Sequence, residues 1–436
     1  MPPEAKEKHD HNSLNFPNGF LWGAATSAHQ VEGNNYFNDW WDYETKRFPP
    51  SRRSGKAADQ YHQYPEDFEL AKNLNHNAHR LSIEWSRIEP SEGHFNQTEI
   101  DHYKKVLKGL KDRDMVVMLT LWHFTLPKWV ADQGGWKNDQ TCFYFNRFLE
   151  RIIPEIKELV DFWITVNEPS LYVYMSYLGG DDAGRWPPAK KNKLSAVKVL
   201  WNISRAHKKA YQTIHKLIPS AKVGSADNIS SFEATHKHSV LEQLYVALTD
   251  FLANHLFFTL TKGSHDFLGI NYYFNRRLGN PSLSPKIISP TDQKREVSDL
   301  GWEVYPEGIF EVLADLSDHI PIYITECGIA STNDDRRTRF LISYLQEIYR
   351  AIESGVNVRG FIYWSLIDNF EWHRGFTPRF GLIDVNYKTE RRYPRPSALV
   401  YAEIIKQNGI PHKMLKLLGH TLNVKKELKE ITKKNH

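Results

Sequence analysis

Three features of the chain predict an α/β fold, a single (β/α)8 TIM barrel. Short apolar runs alternate with helical patterns eight times along the 436 residues, as is typical of parallel sheets with helical crossovers. Polar clusters follow these apolar runs, at the strand ends where barrel enzymes carry their functional groups. No low-complexity linker divides the chain, which favours one closed barrel over two smaller domains.

The apolar runs are the predicted strands, and the helical patterns lie between them. We predict strands at 20–25, 78–83, 115–121, 162–166, 221–225, 266–271, 321–325 and 359–364. We predict helices at 65–75, 99–113, 140–159, 194–217, 238–261, 306–318, 334–354 and 394–408. Because eight strands alternate with eight helices, a closed parallel barrel is favoured over an open sheet.

Two polar segments flank the predicted barrel. Residues 1–13 are polar and charged, and we expect a disordered leader there. Residues 14–411 are predicted to form the single barrel domain. Residues 412–436 are rich in Lys and are predicted to form a solvated tail.

Composition and charge exclude several classes of partner. The formal net charge is only +4, which gives no reason to expect nucleic acid. There is no run of 18 apolar residues and no apolar leader, so we expect no membrane partner. The two cysteines, Cys142 and Cys327, form no disulfide framework and suit a reducing, cytoplasmic compartment. The sequence makes no prediction of oligomeric state.

Polar residues gather after the predicted strands, where a purely structural strand does not need them. The clusters are His29-Gln30-Val31-Glu32, Glu84-Trp85-Ser86-Arg87, Trp122-His123, Asn167-Glu168, Asp227-Asn228, Asn271-Tyr272-Tyr273, Glu326, and Trp364 with 368–372. Core packing alone does not explain so many clusters at equivalent positions. They predict one polar pocket at the carboxyl ends of the strands.

Two glutamates in these clusters suggest a reaction. Glu168 follows predicted strand 4 and Glu326 follows predicted strand 7, so barrel closure can bring both to one pocket. A single glutamate at a strand end is more often a helix cap or an ion-pair partner. A pair facing a glycosidic bond is what hydrolysis of that bond requires, since one carboxyl protonates the leaving oxygen and the other attacks or activates water.

The chain also resembles glycoside hydrolase family 1, the β-glucosidase family, from Phe16 to about Ile405. The motifs that carry the resemblance are F-L-W-G-A-A-T-S-A-H-Q-V-E-G at 20–33, R-L-S-I-E-W-S-R-I-E-P at 80–90, L-T-L-W-H-F at 119–124, T-V-N-E-P at 165–169, D-F-L-G-I-N-Y-Y at 266–273, I-T-E-C-G at 324–328, Y-W-S-L-I-D-N-F-E-W at 363–372 and R-F-G-L at 379–382. Each motif is modest evidence, but their order makes the resemblance specific.

The resemblance implies a retaining reaction through a covalent glycosyl-enzyme. Glu168 matches the family's acid/base and Glu326 its nucleophile. The positions that match sugar-binding residues are Gln30, His123, Asn167, Trp364, Glu371 and Trp372. The positions that match residues orienting the nucleophile are Arg80, Asn271 and Tyr273. No metal and no cofactor are expected, because the histidines show no metal-ligand spacing and no glycine-rich phosphate loop occurs.

The chemistry of these residue types agrees with the implied roles. A cation such as Arg80 beside Glu326 would keep that carboxyl ionised, as a nucleophile must be. Negative charge on Glu326 would in turn raise the pKa of Glu168, so that Glu168 keeps its proton until the first step removes that charge. The amide of Asn167 can hydrogen-bond the sugar 2-hydroxyl, a contact that strengthens in the transition state.

The sequence departs from the family pattern at two places. Cys327 stands where family members usually have Asn after the nucleophile, and we interpret it as a small buried thiol. The segment 228–265 between predicted strands 5 and 6 is short and lacks the G-x-Y-P motif of the family. We therefore predict a thin or open barrel wall there, with a mobile stretch at 228–237.

The favoured function is hydrolysis of β-glucosides from the non-reducing end, with related β-galactosides and β-fucosides as further candidate substrates. A carboxylate at Glu371 would repel a 6-phosphate, which argues against phospho-glycosides. The partner is thus a small β-glycoside or an oligosaccharide. Two rivals stay open: a transglycosidase, in which an alcohol replaces water, and a non-catalytic glycan-binding barrel.

Overall fold

Eight strands of the protein form a closed, all-parallel barrel. A computed structural model describes residues 13–180, 184–279, 286–287, 295–317 and 320–418. The barrel strands are β1 (Leu21–Ala25), β2 (Ala78–Ser82), β3 (Val116–Thr120), β4 (Phe162–Asn167), β5 (Lys222–Ala234), β6 (Phe267–Gly279), β7 (Ile322–Cys327) and β8 (Val358–Trp364). Each strand pairs in parallel with the next, and β8 pairs with β1, so the (β/α)8 TIM barrel is confirmed.

A helix follows each strand and packs outside the barrel. The helices are α1 (Gln60–Asn73), α2 (Gln97–Lys111), α3 (Gln140–Ile156), α4 (Lys193–Leu217), α5 (Val240–Asp250), α6 (Glu307–Asp315), α7 (Asp334–Glu353) and α8 (Pro396–Gln407). The helix α5 runs on through a π-helical turn, Phe251–His255, into a further helical turn, Leu256–Leu260. All eight predicted helices are therefore present.

Apolar side chains fill two layers of the barrel. Alternate strand residues point inward, and Met118, Phe162, Phe267 and Tyr323 pack against each other inside the barrel. The residues between them point outward, so Ile324 joins the larger core between the sheet and the helices. The inner layer closes the bottom of the barrel, which leaves the carboxyl ends of the strands for polar groups.

Strands β5 and β6 continue as a pair beyond the barrel. They stay hydrogen-bonded in parallel from Gly224 with Phe267 to Ala234 with Leu278. The predicted open wall between them is therefore wrong. The apolar runs at 221–225 and 266–271 are only the first halves of longer strands, and most of the stretch expected to be a mobile loop lies in β5.

The first and the last described segments of the chain meet on one side of the barrel. Ser13–Asn15 pairs in antiparallel fashion with Gly409–Pro411, and a 3-10 helix follows at His412–Leu418. The rest of the predicted leader and tail lies outside the described residues. Within the part of the chain that the structure describes, no helix is long and apolar enough to cross a membrane.

Candidate active site

A cavity of 780 Å³ opens at the carboxyl ends of the strands. Eight of the residues singled out from the sequence line it: Gln30, His123, Glu168, Tyr273, Glu326, Trp364, Glu371 and Trp372. The other three, Arg80, Asn167 and Asn271, are buried among the polar groups next to the two glutamates. The structure thus brings all eleven predicted residues to one end of the barrel.

Glu326 lies at the end of β7 and accepts two strong hydrogen bonds. Arg80 donates from Nη1 to Oε1 at 2.5 Å, and the Tyr273 hydroxyl donates to Oε2 at 2.7 Å. Burial raises the pKa of the Glu326 carboxyl above its usual range, and the Arg80 charge and the two donors only partly offset that rise. The ion pair is itself buried, and these contacts favour the charged form against the effect of burial.

Glu168 directly follows β4 and has different neighbours. Its backbone is left-handed, with φ of 45°, which turns the chain from the strand into the helical segment Pro169–Val173. Its Oε1 accepts from the amides of Asn271 at 2.8 Å and Asn228 at 3.1 Å. Burial and, after it, the negative charge of Glu326 raise the pKa of Glu168 to about 8. At neutral pH this carboxyl therefore holds its proton.

Asn271 and Asn167 tie the two glutamates into one network. Asn271 donates from Nδ2 to Glu168 and also to Asn167 Oδ1, at 3.1 Å for the second bond. The Arg80 Nη2 group donates to the same Asn167 oxygen at 2.6 Å. One arginine therefore contacts both the nucleophile candidate and the asparagine next to the acid candidate. These bonds hold the carboxyl groups in a fixed relation.

Gln30 and Glu371 form one polar wall of the cavity. Gln30 Nε2 donates to the Phe370 carbonyl at 2.9 Å and approaches Glu371 Oε2 at 3.4 Å. Burial raises the pKa of Glu371 to about 8, although the Arg374 charge opposes that shift. This carboxyl can therefore donate a hydrogen bond to a hydroxyl group when it is protonated and accept one when it is ionised.

His123 lies near two tryptophan rings in the same wall. Its imidazole is stacked at 6.2 Å from both Trp364 and Trp372, with interplanar angles of 17° and 13°. Burial, aided by the Arg80 charge, lowers its pKa well below the usual range, so the ring is neutral. Flat rings beside neutral hydrogen-bonding groups suit a sugar, which has apolar faces and hydroxyl edges.

The sequence did not single out the apolar half of the cavity. The apolar residues that line it are Leu171, Tyr174, Met175, Trp186, Phe274, Leu300, Trp302 and Phe380. The sequence places Asn228 at a strand end and assigns it no role, but in the structure it contacts Glu168. Cys327 is buried, as expected for a packing thiol.

The family model described as glycosyl hydrolase family 1 matches residues 12–261 and 247–410. The chain belongs to glycosyl hydrolase family 1. The resemblance seen in the motifs is thereby confirmed. This family 1 member is a glycoside hydrolase, and its relatives support β-glycosidase activity rather than a non-catalytic glycan-binding barrel.

Similar proteins cover nearly the whole chain. Beta-glucosidase A of Acetivibrio thermocellus is 30% identical over 91% of this chain and 100% of its own length. A beta-galactosidase of Saccharolobus solfataricus is 30% identical over 91% of this chain and 96% of its own. The solved beta-glycosidase from Pyrococcus horikoshii is 37% identical, with a TM-score of 0.87 over 93% of this chain and 98% of that one.

Proposed function

We propose that this glycoside hydrolase is a retaining β-glycosidase that removes a glucose-like sugar from the non-reducing end of small β-glycosides. The observation that carries the proposal is the unequal pair of glutamates in one cavity. Glu326 is paired with Arg80, whereas the pKa of Glu168 is raised to about 8. A charged carboxylate facing a protonated carboxyl is the arrangement that double displacement needs.

In the first step, a Glu326 carboxylate oxygen attacks the anomeric carbon. The bond from that carbon to the leaving oxygen breaks, and Glu168 gives its proton to that oxygen. Ester formation removes the charge of Glu326, so the pKa of Glu168 falls and it becomes a carboxylate. In the second step Glu168 takes a proton from water, the water oxygen attacks the anomeric carbon, and the Glu326 carboxylate leaves.

The polar wall of the cavity supports a glucose-type sugar in this reaction. The cavity is lined by three side chains that can hydrogen-bond sugar hydroxyls, those of Gln30, His123 and Glu371, and by Trp364. In the proposed complex the sugar ring lies against Trp364. Asn167 lies beside Glu168, where its amide can bond the sugar 2-hydroxyl. Relatives of this chain include a beta-glucosidase A and a beta-galactosidase, so we propose glucosides first and galactosides second.

Product stereochemistry tests the proposal. We expect proton NMR to show the β-anomer of glucose first when an aryl β-glucoside is hydrolysed, followed by mutarotation. The retaining mechanism also requires the two carboxyl groups to lie roughly 5 Å apart in a crystal structure. Release of the α-anomer first, or no turnover of any aryl β-glycoside, would contradict the proposed function.

A further inference from the structure

Helix α5 exposes its apolar side chains instead of burying them. Val240, Leu241, Leu244, Leu248, and then Phe251 and Leu252 of the π-helical turn, are between 43% and 67% exposed. They recur every three or four residues and so form one stripe. The helix of a barrel normally turns such a stripe toward the sheet. Here the stripe faces outward.

Polar contacts fix the helix in this orientation. Glu242 is buried and accepts hydrogen bonds from the backbone N of His236 at 2.7 Å and from its ring at 2.9 Å. Asn254 is buried and pairs with both backbone groups of Ser230 in β5, at 3.1 and 2.8 Å. Rotating the helix to bury its leucines would break these bonds. The exposed stripe is therefore built into the fold.

The neighbouring helix α4 carries a second exposed stripe. Leu194, Val197 and Trp201 are 85%, 70% and 53% exposed and lie on one face. The segment Pro169–Leu178 contacts both helical regions. We call the two stripes together the apolar flank, defined as Leu194, Val197, Trp201, Val240, Leu241, Leu244, Leu248, Phe251 and Leu252.

The N-terminal parts of both stripes lie toward the active-site end of the barrel. Helices in this fold begin at the end where the strands finish, so the first turns of α4 and α5 lie near the cavity mouth. Tyr174, in the segment between the stripes, is partly exposed and also lines the cavity. A surface that covered the flank would therefore lie beside the opening through which substrate enters.

Basic side chains border the flank. Lys190, Lys191 and Lys193 precede or begin α4, and Lys237 precedes α5, all of them exposed. An apolar face that contains tryptophan and phenylalanine and is bordered by lysines is the combination that binds membrane surfaces with anionic headgroups. In a two-fold dimer the same patch of both copies would meet, and the lysine borders would be brought together.

The absence of an apolar span in the sequence led to the expectation of no membrane partner, but an exposed apolar face can bind a membrane surface without a span. We propose that the apolar flank docks this hydrolase onto an anionic lipid surface. The leucines and aromatic rings enter the boundary between headgroups and acyl chains, and the lysines contact the headgroups. Docking places the cavity mouth beside the surface, so glycosides held in that surface reach the active site. This last consequence rests on the proposed β-glycosidase function.

Vesicle sedimentation tests the docking directly. The whole protein is mixed with phosphatidylcholine vesicles that either lack or contain phosphatidylglycerol. We expect binding to the anionic vesicles and weaker binding at high salt. The double variant Leu244→Gln/Leu248→Gln should bind at least about tenfold more weakly, because two apolar side chains that enter the lipid surface on docking are lost. Leu399→Gln, an exposed leucine on α8, is the matched control and should bind normally.

A second pair of variants tests the charge. Lys191→Gln/Lys193→Gln should lose the preference for anionic vesicles, whereas Lys406→Gln on α8 should keep it. Turnover of a water-soluble aryl glycoside should be unchanged in all variants, which reports on their folding and tests the proposed activity separately. The docking is wrong if the unmodified protein ignores both vesicles. It is equally wrong if light scattering shows a dimer that Leu244→Gln/Leu248→Gln dissociates, since a second copy then covers the flank.

Discussion

At the end of β7, the carboxyl group of Glu326 meets an arginine and a tyrosine hydroxyl, whereas that of Glu168 at the end of β4 meets two asparagine amides. Both carboxyl groups are buried, and burial alone would raise both pKa values. The difference between the two sites is therefore the cation. The charge of Arg80 lowers the pKa at Glu326, and no cation contributes to the shift at Glu168.

The comparison teaches that position on the barrel does not assign the two roles. Each glutamate follows or ends a strand, and each lines the same cavity. The direct contacts distinguish the two carboxyl groups, because Glu326 has a paired cation that favours its charged form and Glu168 has amide donors instead. Each glutamate, and each of the neighbours that contact it, can be replaced separately by mutation.

Removal of the nucleophile should have the largest effect. Glu326→Ala leaves no group to form the covalent intermediate, so we expect kcat to fall at least about 10⁴-fold for every substrate. Steady-state kinetics on aryl glycosides with good and poor leaving groups measure this loss. A variant that retained activity on the activated substrates alone would reverse the two assignments.

Removal of the acid should have an effect that depends on the leaving group. With Glu168→Ala, glycosides with poor leaving groups should react about 10²–10⁴-fold more slowly, because they need protonation. The first step of activated aryl glycosides should be nearly unaffected. A burst of released aryl alcohol followed by slow turnover checks this expectation. Equal losses on both substrate classes would contradict the role of Glu168.

The sequence predicted the barrel because its signals are local. The periodicity at 140–159 and the apolar run at 162–166 specify a helix and a strand without reference to the rest of the chain. The extended halves of β5 and β6 were missed because their partner strands, and not their apolar content, keep them extended. Ser231 in β5 and Asn275 in β6, for example, are polar residues that lie opposite each other in the paired strands.

The site residues that stand in family motifs were predicted from the sequence. The residues whose role depends on a contact with a distant part of the chain were missed. Asn228 reaches Glu168 from 60 positions away in the sequence, and an asparagine at a strand end does not reveal its partner. The apolar flank was missed for a related reason. Periodicity at 238–261 predicts an amphipathic helix, but it does not say that Glu242 and Asn254 hold the polar side inward.

Removal of a single hydrogen-bond donor to Glu326 should have a smaller effect than removal of either glutamate. Tyr273→Phe removes the hydroxyl that donates to Oε2, so we expect kcat to fall about tenfold. That donor favours the charged form, so its loss raises the pKa of Glu326. Because Glu326 acts when deprotonated, the acidic limb of the kcat/KM profile should move to higher pH. Tyr272→Phe, whose hydroxyl bonds the Tyr305 carbonyl outside the cavity, is the matched control. An unmoved acidic limb would remove Tyr273 from the set that tunes Glu326.

The smallest effect should come from the Glu168 side. Burial and the charge of Glu326 raise the pKa of Glu168 to about 8, and the bond from Asn228 opposes that shift. The acid acts when protonated, so kcat/KM of the free enzyme should be high below pH 8 and lost as pH rises through about 8.

Asn228→Ala removes one donor to the charged form, so the pKa of Glu168 should rise further. The alkaline limb should then move up by roughly half a pH unit while the acidic limb stays in place. Turnover near neutral pH should change only severalfold, since Asn271 still holds the acid. Asn386→Ala, in an exposed turn outside the cavity, should leave both limbs unchanged. If Asn228→Ala moves the acidic limb instead, the two carboxyl groups do not titrate with the separate neighbours that the structure gives them.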